Sequence, residues 1–217
     1  MAAVPLPPKK TIAEHVETQA AFLRDKLEPA LAEAKAGVRD VDFVDAAHFV
    51  RGAFLRCVWC AVRMWIRGAS GRQRCSVLGA WNAVTRELIR ISNTTRVSSD
   101  TMVERSWRQR SRRAKATTLV LDNARHQHCK KVMAEAGRLG IGLLFLPSYS
   151  PNLNVIERLW KFTRAKALRG KHCDDSALFQ RAVDHCLDKT ATAYAAEMKS
   201  LMTLNFQTFD KDSFLAA

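Results

Sequence analysis

The chain has 217 residues, enough for one domain of ordinary size or one domain with an appended helical arm. At 47% hydrophobic it can bury a real core, which argues against global disorder, and no apolar run reaches the length of a membrane span. Thirty-five Lys and Arg against 21 Asp and Glu leave a net charge of +14, a surplus that favours a polyanionic partner through counterion release.

The start, MAAVPLPPKK, lacks the basic-then-apolar pattern of a signal peptide, so the expected location is cytoplasmic and, for a basic chain, nucleoid-associated. Thr11-Ile-Ala-Glu14 matches a capping box, and Ile12, Val16, Leu23 and Leu27 recur at helical spacing. The reading is a helical arm over residues 11–36, broken or kinked at Pro29 and ended by Gly37. The division that follows is 1–40 for the arm and its linker and 41–217 for the main domain.

Residues 41–50 (VDFVDAAHFV) are rich in β-formers and predict a strand; residues 57–66 are a second candidate. After the polar turn 70–74, residues 75–84 and 87–92 predict two strands joined by a tight turn. Residues 99–113 predict a very basic helix. TTLVLDNA (117–124) is the clearest buried strand, its apolar run stopping at Asp122. A helix over 126–139 closes at Gly140, and 141–146 is a further buried strand stopped by Pro147. The turn formers of 148–154 lead into a helix with Ile156, Leu159, Trp160, Thr163 and Ala167 on one face. Two more helices are expected near 175–188 and 191–203. Early strands adjacent in sequence favour antiparallel pairing, and the later strand–helix–strand unit favours parallel pairing. The expected fold is α/β, a mixed sheet with helices on its faces.

Six cysteines in a cytosolic chain read as reduced thiols. Cys57-Val-Trp-Cys60 has no second pair to complete a zinc site, and His126, His128 and Cys129 read better as ordinary side chains than as ligands.

Three carboxylates stand where chemistry could use them. Asp45 lies toward the end of the first strand, Asp122 ends the central one, and Glu157 opens the helix after the polar loop. An acid at the end of an apolar strand costs desolvation, and two on neighbouring strands repel unless a cation lies between them. Oxygen ligands favour Mg²⁺ or Mn²⁺, and two such ions about 4 Å apart suit phosphodiester chemistry. Each acid also has a plain structural reading. Asp122-Asn123 could simply end a strand, Glu157 could complete a capping box with Asn154, and Asp42 rivals Asp45 three residues earlier.

LVLDNARHQHC, the 34 residues between Asp122 and Glu157, and LPSYSPNLNVIERLWKF together resemble the mariner-like DDE transposases of bacterial insertion sequences. Tyr149, Ser150, Pro151, Leu153 and Asn154 match that family's loop, and Phe43, Asp45, His48 and Phe49 match its first strand, which prefers Asp45 over Asp42. Residues 70–88 and 201–209 extend the likeness.

The resemblance implies an RNase H-like fold and metal-dependent cleavage and strand transfer at the ends of an insertion sequence. Asp45, Asp122 and Glu157 would be its catalytic and metal-holding acids, with Mg²⁺ or Mn²⁺, two ions, as cofactor. The implied partner is DNA, both transposon ends and target; the oligomeric state stays open, a homodimer included. Candidate phosphate contacts are Arg105, Arg108, Arg112 and Arg113 in one cluster and Lys161 and Arg164 on the helix of Glu157; solvated basic faces are the alternative. Trp59, Trp65, Trp81 and Trp160 read as core.

The family's end-recognising helix-turn-helix region is not found, so DNA binding through phosphates with little sequence preference is expected. The rival readings are a truncated relic, a DNA-binding inhibitor of transposition, and a cellular nuclease acting on branched or hybrid nucleic acid.

Overall fold

The structure, a computed structural model, describes residues 9–51, 73–93, 98, 115–124, 127–148, 150–169, 173 and 175–207. The expected strand at 57–66, the basic helix at 99–113 and the Cys57–Cys60 pair lie outside these residues.

The helical arm begins at Lys9, ahead of the expected Thr11. It runs as α1 (Lys9–Phe22), a π-helical turn (Leu23–Leu27) and α2 (Glu28–Lys35). Pro29 explains the π turn: it has no N–H for the carbonyl four residues back, so the preceding turn widens and the helix continues rather than stops. Gly37, at φ +77°, ends the run in the left-handed conformation that glycine adopts without steric cost.

Five strands follow: β1 (Arg39–Val50), β2 (Arg74–Asn82), β3 (Leu88–Asn93), β4 (Ala116–Leu121) and β5 (Ile141–Phe145). Their order in the sheet is β3-β2-β1-β4-β5. β1 pairs antiparallel with β2, as β2 does with β3, while β4 runs parallel to both β1 and β5. The mixed sheet is therefore the expected one. The crossover between β4 and β5 holds α3 (Lys130–Arg138), shorter than the helix expected over 126–139. The chain after β5 forms a 3-10 turn (Pro151–Leu153), then α4 (Ile156–Thr163) with a π-helical extension (Arg164–Leu168), α5 (Ser176–Asp188) and α6 (Ala195–Leu201).

Strand alternation divides the core in two. On one face Val44, Leu78, Leu119 and Leu121 pack with Val132 and Ala136 of α3. On the other, Phe43, Ala47, Phe49 and Val120 pack with Leu27 and Leu31 of the arm and with Ile156, Leu159 and Trp160 of α4. The arm thus belongs to the same core as the sheet. Burying each large apolar side chain contributes about 2 kcal/mol, so the α4 face alone anchors that helix firmly.

The C-terminal segment locks α4 from outside. Arg158 donates from Nη1 to the carbonyls of Leu201 (3.2 Å) and Thr203 (2.7 Å) and from Nη2 to that of Asn205 (2.9 Å). Asn152 Nδ2 donates to Gln19 Oε1 of the arm (2.9 Å) and to the Gln207 carbonyl (2.8 Å), joining loop, arm and tail. On the sheet's other edge, Arg90 of β3 pairs with Asp184 and Asp188 of α5.

Candidate active site

Asp45 and Asp42 are three residues apart on one strand, and the period of two separates them. Asp42 pairs in register with Leu119 and shares the α3 face. It is fully buried and accepts from Asn82 Nδ2 at 2.9 Å. Asp45 shares the α4 face with Phe43 and Ala47. The last β1–β4 pair is Val44 with Leu121, so Asp122, the first residue past β4, follows on beside Asp45 of β1. Leu121 packs on the α3 face and Val120 on the α4 face, and alternation turns Asp122 toward α4. His48 belongs to the α3 face, hydrogen-bonded to Ser76 at 2.9 Å, and takes no part in this site.

Glu157 lies in the first turn of α4. The capping-box alternative fails: the residue before the helix is Val155, and no side chain caps it. Asn154 instead ends the 3-10 turn, and its backbone carbonyl accepts from the Glu157 amide at 3.2 Å. Asp122, Asn123 and Ala124 line a cleft of about 380 Å³ with Pro147, Ser148, Ser150, Pro151, Asn154 and Glu157. Asn154 is only 3% exposed, and its side-chain carbonyl oxygen has no hydrogen-bond partner. A buried, unmatched acceptor on a residue lining such a cleft calls for a partner from a ligand or its hydration shell.

Asp45 carries the electrostatic signature of the site. Burial first, then the negative charge of Glu157 and, more weakly, that of Asp122 push its carboxyl up to about 7. Two hydrogen bonds, from the Ala46 amide and the Trp160 indole, oppose that rise. The indole Nε1–H donates to Asp45 Oδ2 at 3.0 Å. Asp45 thus feels both of the other acids, one past the end of β4 and one on α4. Mutual repulsion opposes their closing together, and among the described residues no group of three His, Cys, Asp or Glu side chains forms a ready-made metal cluster.

The donors are hard oxygens, the half-buried Asp45 lies near like charges, and Asn154 adds an unmatched acceptor; this chemistry fits a divalent cation such as Mg²⁺ or Mn²⁺. Of the other tempting ligands, those that are described do not join it. The His128 ring stands edge-on to Phe145 at 4.6 Å, Cys129 precedes α3, and His126 lies outside the described residues.

Of the basic candidates, Lys161 is exposed on α4, whereas the half-buried Arg164 lays its guanidinium over Phe49 at 5.3 Å. Arg105, Arg108, Arg112 and Arg113 lie outside the described residues. Trp81 and Trp160 are core, as read, while Trp59 and Trp65 are not described. Two features escaped the sequence reading. Trp160 is core and also a donor to Asp45, and Asn154 contributes a side chain as well as a loop position. The four-residue spacing of Trp160 from Ile156, on a face already read as apolar, was the signal that placed it over the sheet.

The strand-transfer complex of Mos1 is similar with a TM-score of 0.61 at 14% identity, over 93% of this chain and 63% of that one. The Mos1 transposase paired-end complex with the left transposon end gives 0.57 at 12%, over 91% and 65%. The Mos1 mariner paired-end complex with Mn gives 0.55 at 12%, over 95% and 68%. This chain spans about two thirds of the length of these chains, slightly less for the first two, and at such identities the likeness is one of fold, the RNase H-like fold expected above. No curated protein matches the sequence. The model of the DDE superfamily endonucleases matches residues 63–179, more than half of the chain and including Asp122 and Glu157. The chain belongs to the DDE superfamily endonucleases.

Proposed function

We propose that this chain cleaves DNA strands and joins them to a target, as the catalytic part of a transposase, with Asp45, Asp122 and Glu157 as its three acids. The observation that carries the reading is the placement of the acids: Asp122 and Glu157 line one cleft, and Asp45 lies one step beyond the last β1–β4 pair, beside the position of Asp122. Three carboxylates so arranged cost stability and are best explained by a cationic ligand. Asp45 and Asp122 would hold Mg²⁺ or Mn²⁺, and Glu157 would complete the shell of a second ion. When bound, such ions activate the attacking oxygen and stabilise the leaving one.

The rest of the work is positioning. The sheet fixes Asp45 on β1 and Asp122 just past β4, and α4, held by its buried face and by the Arg158 clamp, fixes Glu157. DNA is the substrate that the +14 charge supports, with the exposed Lys161 as a phosphate contact. Residues 41–217 would form the catalytic unit, with 1–40 as an arm seated on it. The Mos1 neighbours include complexes with a transposon end and with Mn.

The test is nicking of supercoiled plasmid in Mn²⁺ or Mg²⁺ by the full chain and by Asp122→Asn. The substitution keeps size and removes charge, so nicking is expected to vanish. Equal nicking by both proteins, or nicking that persists in chelator, would overturn the proposal; a folded wild type that binds DNA without ever nicking it would favour the inhibitor reading instead.

A further inference from the structure

Gly79 lies directly across the β1–β2 ladder from Asp45. A methyl group there would stand 2.6 Å from Trp160 Cη2, 2.9 Å from Cζ2 and 3.0 Å from Ile156 Cδ1. The missing side chain is thus the seat of the Trp160 ring, which settles onto the strand backbone with 1% of its surface exposed. Phe49, four residues after Asp45 on the same face, meets the ring edge-on at 6.2 Å and 80°. Seat and wall leave the indole little freedom, and its N–H reaches Asp45 Oδ2 at 3.0 Å. A buried indole N–H needs an acceptor, but a carboxylate is an expensive one to bury, and any backbone carbonyl would satisfy the indole.

We propose that Trp160, seated on Gly79, is a positioning residue that holds the Asp45 carboxylate in the orientation in which it takes up a divalent cation. A carboxylate offers about four lone-pair sites. The indole occupies one of them and restricts rotation about the Cβ–Cγ bond. The remaining sites keep one direction. Because Trp160 and Glu157 share α4, three residues apart, the same helix that delivers one acid also sets the orientation of another. Any movement of α4 would therefore misplace both. Partners of this kind typically contribute about ten- to a hundredfold in metal affinity.

The inference rests on the reading of Asp45 as a metal-holding acid, and the test separates the two. Mn²⁺ affinity is measured by titration calorimetry on the full chain without DNA, for wild type, Asp45→Asn, Trp160→Phe and a chain carrying benzothienylalanine at 160. The last keeps the shape of the indole and replaces its N–H by sulfur. Urea unfolding of each protein runs alongside.

Expected is Mn²⁺ binding about tenfold or more weaker in both position-160 variants, with the benzothienyl chain close to wild type in stability. A merely structural tryptophan would change the unfolding curve and leave the affinity of the folded protein alone. If Asp45→Asn loses Mn²⁺ and the folded benzothienyl chain binds it as wild type does, the positioning role is overturned while the site stands. If Asp45→Asn binds Mn²⁺ unchanged, the site reading fails and takes this inference with it. Should Trp160→Phe not fold, the isosteric chain decides.

Discussion

Removing the charge at Asp45 should stabilise the metal-free protein while abolishing its activity. The carboxyl stands at about 7 in the folded chain against an ordinary value of 3.8. Folding therefore takes up a proton at intermediate pH. The contribution of Asp45 is most favourable below the unfolded value and is lost as pH rises through the folded one. Each unit of displacement corresponds to about 1.4 kcal/mol, so the whole shift amounts to about 4 kcal/mol, of which about 2–3 kcal/mol is lost between pH 5 and pH 8. Asn at position 45 can still accept from the Trp160 indole but cannot ionise. In chelator, Asp45→Asn should gain on wild type by about 2–3 kcal/mol between pH 5 and pH 8, read from urea unfolding at both values. The comparison between the two proteins cancels the titrating groups remote from Asp45. Millimolar Mn²⁺ at pH 8 should restore the wild type, since a ligand of the native state adds RT ln(1 + [L]/Kd), and should do little for the variant. A stability difference between the two proteins that is the same at pH 5 and pH 8 would refute the account of Asp45 as a half-buried carboxyl held near like charges.

Asp42→Asn should leave Mn²⁺ affinity within about twofold of wild type, because Asp42 faces α3 and accepts from Asn82 on the far side of the sheet; calorimetry on the same preparation checks this. Arg158→Ala should cost about 2 kcal/mol and expose residues 201–207 to limited proteolysis, as it removes the donors to the carbonyls of Leu201, Thr203 and Asn205; a tail equally protected in both proteins would refute the clamp. DNA affinity should fall with salt by about 0.9 log units per tenfold increase for each phosphate neutralised, and a flat salt profile in gel-shift titrations would remove phosphate contact as the basis of binding.

Much of this was legible in the residues themselves. The strands at 41–50, 75–84, 87–92, 117–124 and 141–146 correspond to β1, β2, β3, β4 and β5, and their mixed pairing followed from which were adjacent in sequence and which needed a crossover. These are local properties: a period of two, an apolar run, a turn former. The places where local reading fell short have local causes too. Pro29 read as a break or a kink in the arm, and a widened turn absorbed it because Leu27 and Leu31 hold both halves of the arm on the sheet. The helix expected from 126 begins only at Lys130.

The site depended on distant residues. Asp42 and Asp45 differ by nothing in composition; a motif preferred one, and the sheet separates them by turning them to opposite faces. Asp122 neighbours Asp45 because β4 lies beside β1 rather than beside its predecessor in the chain. Trp160 was correctly core, but its bond to a residue 115 positions away, and the glycine that lets it approach, belong to packing alone. Periodicity is written along the chain and can be read there. A carboxyl group's affinity for its proton depends on which charges and donors surround it, and those neighbours are assembled only when the strands pair and α4 closes over them.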